Sequence, residues 1–105
     1  MMDLSPEEEQ RVREKINQRR RQIMVHSTLY YAMDAAVIPD ERFDKFAKHL
    51  IKLQETFPEI SEQVEYMRDE FRGYDVPTGF HLPHNEPYAV AIAHWLLRWH
   101  RTCEA

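Results

Sequence analysis

Two glycines and one cysteine are all that 105 residues contain of these types. So little glycine argues against tight hairpins, which need residues at positive φ. A lone thiol, Cys103, cannot form an internal disulfide. No stretch free of Asp, Glu, Lys and Arg approaches the roughly 20 residues that span a bilayer; Pro87 to Leu97 reaches about half that length. The first residues read Met1-Met2-Asp3-Leu4-Ser5-Pro6-Glu7, acidic where a secretory signal is basic and then apolar. Together with the single thiol, this points to a reducing, cytoplasmic setting. Repeats and low-complexity tracts are also missing.

What is present fits one small core. Apolar types make up 43% and charged types 30%, with 18 acidic against 14 basic residues and a net charge of −4. That balance supports one domain over residues 1–105 and excludes a large multi-step enzyme. Abundant Glu, Gln, Lys, Arg, Leu and Ala favour helices, so an all-α domain of about four helices is expected.

Ser5, Pro6 and Glu8 form a helix-start signature, the hydroxyl accepting from the N3 amide while Glu8 reaches back. Val12, Ile16, Ile23, Tyr30 and Met33 then recur at helical steps, predicting a first helix of about 28 residues ending near Asp34. Its other faces carry Arg11, Arg13, Lys15, Arg19, Arg20 and Arg21, with Glu14 the only acid between residues 11 and 21. A solvated cationic band is expected, and its arginines are candidates for phosphate contact, including nucleic acid.

Pro39 turns the chain out of helix, and Asp40 is placed to cap a second helix running to about Thr56, with Pro58 beyond. Phe43, Phe46, Ala47, Leu50, Ile51, Leu53 and Phe57 give it a wide apolar face. A third helix is expected with Ile60, Val64, Met67 and Phe71 inward, ending at Gly73. Residues 74–86 have loop composition. From a cap at Asn85, a fourth helix is expected to bury Tyr88, Ala91, Ile92, Trp95, Leu96 and Trp99. An exposed tryptophan pair would instead mark a partner surface. His81, His84, His94, His100 and Cys103 have metal-capable side chains, but Pro83 breaks the spacing and His94 and His100 point apart, so no metal is assigned.

The informative stretch joins the first two helices. Asp40, Phe43 and Asp44 share one face of a first turn, and Tyr30 and Tyr31 lie on the last turn before a six-residue connector. The two turns can form an aromatic and acidic notch suited to a flat cation such as an oxidised nicotinamide ring. His26 or an arginine of the first helix would meet the phosphate. Composition and spacing alone favour a plainer assignment, with Asp40 a cap, Asp44 a dipole partner, and Phe43 and Tyr30 core.

The same positions resemble domain Ia of bacterial NAD-dependent DNA ligases over about residues 11–60, with 61–105 a divergent helical completion. The shared pattern is Tyr30-Tyr31, the connector from Asp34 to Asp40, Phe43-Asp44, Leu50, Leu53 and Pro58. The resemblance implies a helical domain that recognises the nicotinamide mononucleotide half of NAD and folds over an adenylation domain. It carries the contacting roles onto Tyr30, Tyr31, Asp40 and Asp44. Phe43 replaces the usual Tyr and loses its hydroxyl, and Ala36 replaces a connector Pro. None of Lys15, Lys45, Lys48 or Lys52 begins the Lys-x-Asp-Gly motif that carries the adenylate, so no independent catalysis is expected. Noncovalent binding of NAD or nicotinamide mononucleotide is the leading expectation, in an accessory role in DNA repair or replication. The alternatives are an interaction module that docks on and regulates a ligase or other nucleotidyl-transfer protein, or an in-trans subunit of a split ligase.

Overall fold

Ser5 begins α1 (Pro6–Ser27) as a capping box: its Oγ accepts from the Glu8 amide at 3.2 Å, and Glu8 Oε1 accepts from the Ser5 amide at 3.0 Å. The computed structural model describes residues 3–104, with side chains through residue 102. α1 runs directly into a π-helical turn, Thr28–Ala32, and the chain then passes through a connector to α2 (Asp40–Thr56). A short α3 (Pro58–Gln63) and an irregular stretch lead to α4 (Pro87–Glu104). No strand occurs among the described residues, so the architecture is all-α. No described helix is long and apolar enough to cross a membrane.

The core gathers Ile16, Ile23, Met24 and Leu29 of α1 and its π-helical extension with Ala47 and Leu50 of α2, Phe71, and Ala89 and Ala93 of α4. Phe43, Phe46, Ile51, Leu53 and Phe57 pack around it, so the apolar face of α2 lies where its spacing placed it.

Four local expectations need correction. Arg20 is 1% exposed, not part of a solvated band. It occupies the four-step link between Ile16 and Ile23, on the buried stripe itself. Its guanidinium donates to Ser61 O (2.9 Å), Ser61 Oγ (2.8 Å), Val64 O (2.8 Å) and Tyr66 O (3.0 Å), and its Nε to Gln54 Oε1 (3.0 Å). Burial pushes its pKa down to about 10, which still leaves it charged at neutral pH.

The third helix is the second correction. α3 stops at Gln63, and Val64 is extended (φ −84°, ψ 113°). The Val64 carbonyl, which a continuing helix would use internally, is taken by Arg20, and the Ser61 carbonyl is shared between Arg20 and the Val64 amide. Residues 66–73 are turns, with Met67 at φ 52° and Gly73 at φ 76°. Ile60 is buried within the short α3, and Val64 and Phe71 remain buried without a helix.

The third correction concerns caps. Pro39, not Asp40, is the N-cap of α2, and Asp40 is its first helical residue. Glu86, not Asn85, serves α4, accepting from the Tyr88 amide (2.6 Å) and the Ala89 amide (3.3 Å). The fourth is the rotation of α4. Ala89 and Ala93 are fully buried, with Ile92, Leu96 and Leu97 beside them, while Trp95 and Trp99 are 52% and 59% exposed. Small residues let α4 approach α1 closely, so it docks on its alanines and turns its indoles outward.

Arg20→Ala strips four residues of a buried donor, and Arg20→Lys cannot reproduce the planar fork. Each is expected to lower unfolding free energy by about 3 kcal/mol or more in urea titration.

Candidate functional site

The π-helical turn is where the first helix prepares the site. Met33 N donates to Thr28 O at 3.2 Å, five residues back, and Ala35 N to Leu29 O at 2.8 Å. The wider turn holds more residues than an α-turn, so neighbouring side chains diverge less. Two consecutive tyrosines, Tyr30 and Tyr31, thereby line the same cavity, their rings edge-to-face at 4.9 Å. Tyr30 is 56% exposed, so it leaves the apolar stripe assigned to it by spacing. Leu29 is buried in its place.

Opposite lies the first turn of α2. Because Pro39 starts that helix, the Asp40 carboxylate is not consumed by capping. Asp44 pairs with Lys48 at 2.8 Å, and Phe43 lies between the two acids in sequence and packs against the core. Asp34, at φ 49°, reverses the chain after the π-helical turn and brings the two walls together.

The resulting cavity of about 500 Å³ is lined by all six residues singled out from sequence: His26, Tyr30, Tyr31, Asp40, Phe43 and Asp44. This volume lies within the range of small-molecule sites. Ser27, Ala36, Val37, Ile38 and Glu41 complete the two walls, and Pro77 and Thr78 supply a third. Nothing in the local sequence pattern marks Pro77 and Thr78, since only the burial of Tyr74 and Leu82 brings that loop across. A smaller hollow of about 280 Å³, walled by Arg42, Phe46, Leu96 and Trp99 among others, shares His26, Val37 and Ile38 with the first.

His26 does not bring a positive charge. Burial, helped by the nearby Arg42, pushes its pKa down to about 4, so the ring is neutral at pH 7. The arginines proposed for phosphate contact are also largely engaged in packing. Arg19 lies 4.7 Å over the Phe46 ring and donates to His49 Nδ1 at 2.9 Å. Arg21 sits between Tyr66 and Tyr88 at 4.0 and 4.4 Å. The Tyr66 hydroxyl in turn donates to Glu86. Arg42, in the first turn of α2, lines the smaller hollow that adjoins the cavity at His26, Val37 and Ile38.

The histidines after residue 80 do not gather. His84 stacks on Tyr31, and His81 lies near Tyr74. Among the described residues no three His, Cys, Asp or Glu side chains are grouped to hold a metal ion, and the Cys103 side chain lies outside them.

The depressed pKa of His26 has a defined consequence for stability. Between about pH 6.5 and about pH 4 the unfolded chain takes up a proton that the folded ring refuses, so its contribution is complete above that window and lost as pH falls through it. Urea unfolding at about pH 7 and about pH 4.5 is expected to show wild type losing about 2 kcal/mol more than His26→Gln.

Comparison with known proteins gives the chain a family. Residues 9–75 match the model described as the DNA ligase-like, N-terminal NAD+-binding domain, a longer stretch than the motif pattern alone covers. The DNA ligase of Pseudothermotoga lettingae is 30% identical over 83 residues, covering 72% of this chain and 11% of that protein. Those of Fervidobacterium nodosum and Natranaerobius thermophilus are 33% and 38% identical over 51 and 48 residues, covering 49% and 46% of this chain and 8% and 7% of theirs. The chain therefore spans about a tenth of the length of these relatives. No solved structure matches it. With two thirds of its described helical framework inside the matched stretch and the cavity built chiefly from it, the chain belongs to the family of DNA ligase-like, N-terminal NAD+-binding domains.

Proposed function

We propose that this chain binds the nicotinamide mononucleotide half of NAD+ noncovalently, in the cavity between the π-helical turn and α2. The observation that carries this reading is the convergence of Tyr30, Tyr31, Asp40, Phe43 and Asp44 on one cavity of ligand size. Exposed ring faces and the uncommitted Asp40 carboxylate suit a weakly hydrated aromatic cation and the ribose hydroxyls attached to it. His26, being neutral, contributes a hydrogen bond at most, and the phosphate falls to Arg42. Phe43 offers a stacking face without the hydroxyl usual at that position. With no Lys-x-Asp-Gly motif in the sequence given, the proposed role is recognition, in an accessory to DNA ligation working in the cytoplasm.

Calorimetric titration with nicotinamide mononucleotide tests this directly. The oxidised form is expected to bind about ten-fold more tightly than the reduced form, because only the oxidised ring carries charge. The Asp40→Ala, Asp44→Ala double variant is expected to lose about ten-fold or more. Equal affinity for both redox forms would refute cation recognition.

A second reading, that the chain docks on a separate ligase as the in-trans subunit of a split enzyme, is supported by α4. Its outward face carries Trp95 and Trp99 beside the exposed Arg98 and Arg101, with no acid from Pro87 to Cys103. Tryptophan and arginine are the residues that dominate binding energy at protein interfaces. An NAD-dependent ligase stripped of its own such domain provides the test. Wild-type chain is expected to restore self-adenylation in trans, and Trp95→Ser with Trp99→Ser to reduce it about ten-fold or more. Absence of rescue by wild type would remove this reading.

A further inference from the structure

The family match ends at residue 75, yet the cavity does not. Pro77 and Thr78 line it, and the segment that carries them is fastened from both ends. Gly79 is buried so tightly against α1 that a Cβ there would lie 1.7 Å from Ser27 Oγ and 3.5 Å from Phe43 Cζ. Leu82, 4% exposed, anchors the far side and donates its amide to Gly79 O at 3.2 Å.

His84 ties this loop to the ligand wall. Its Nε2 lies 2.7 Å from Gly79 O, and a carbonyl oxygen only accepts, so Nε2 carries the hydrogen. The imidazole lies nearly parallel to the Tyr31 ring, 13° between planes with centroids 5.0 Å apart. Phe80 meets the same ring edge-on at 5.5 Å. Tyr31 is 41% exposed and would otherwise be free to change rotamer. Held between His84, Phe80 and Tyr30, it presents one orientation before any ligand arrives, which removes an ordering cost from binding. Thr78 Oγ1 accepts from the Phe80 amide at 3.2 Å, which leaves the hydroxyl hydrogen able to donate to a ligand oxygen.

We infer that the segment from Pro77 to His84 is part of the nicotinamide site, with Thr78 a ligand-contacting residue and His84 a positioning residue that presets Tyr31. The inference rests on the binding function proposed above and extends it to a loop outside the family match.

Calorimetry with nicotinamide mononucleotide on wild type, Thr78→Val, His84→Ala and His84→Phe, with a melting temperature for each, separates the possibilities. Thr78→Val and His84→Ala are each expected to weaken binding about three- to ten-fold. His84→Phe keeps a stacking face and is expected to recover most of the affinity, even though it cannot bond to Gly79. In ligand-free protein, His84→Ala is expected to shift the Tyr31 ring resonances, and His84→Phe to shift them less. Wild-type binding that survives Thr78→Val and His84→Ala unchanged overturns this inference and leaves the binding function standing. A silent wild type at millimolar ligand overturns both. If affinity falls only in step with melting temperature, His84 is structural and the positioning role is lost. Should His84→Ala fail to fold, Thr78→Val still decides whether the loop touches the ligand.

Discussion

Arg20 is the constraint on which the rest depends. A charged side chain at the centre of so small a core is tolerable only because its donors meet five neutral acceptors, from Gln54, Ser61, Val64 and Tyr66. A buried guanidinium with an unmet donor would cost several kcal/mol, so the acceptors and their backbone must stay where Arg20 needs them. This fixes residues 61–66 against α1 and ends α3 early. It also sets the departure point of the irregular chain that returns, through Tyr74 and Gly79, to wall the cavity.

Its two neighbours divide the remaining work. Successive residues on a helix point about 100° apart, so Arg19, Arg20 and Arg21 radiate to three different partners. Arg19 lies on Phe46 and His49 of α2, and Arg21 between Tyr66 and Tyr88. Read as sequence, three adjacent arginines look like a solvated band. In the fold they are three ties from one helix to the elements around it.

The site follows the same logic of local geometry placed by distant packing. The acidic and aromatic constellation was legible because it is nearly contiguous: two tyrosines, a short connector and one helical turn. Where α2 begins and ends, and the capping box at Ser5, were legible for the same reason. The π-helical turn was not, since a one-residue widening leaves no mark on a four- and seven-step pattern. That turn nevertheless decides that Tyr30 faces the cavity and Leu29 the core. The seven-residue step from Ile16 to Ile23 did hold a sign of Arg20, because position 20 completes the stripe.

Local interactions, which depend on residues a few positions apart, were determined by the sequence alone: the helical class, the start of α1, the extent of α2, and the pairing of rings with carboxylates at the first connector. Relations between segments far apart in the chain were decided only by the tertiary structure. These include the burial of Arg20, the turning outward of Trp95 and Trp99 as α4 settled on Ala89 and Ala93, and the return of Thr78 and His84 to a site begun some 50 residues earlier. The physical reason is that hydrogen-bond satisfaction and close packing are properties of the whole core, and each is settled by which partners arrive rather than by which neighbours precede.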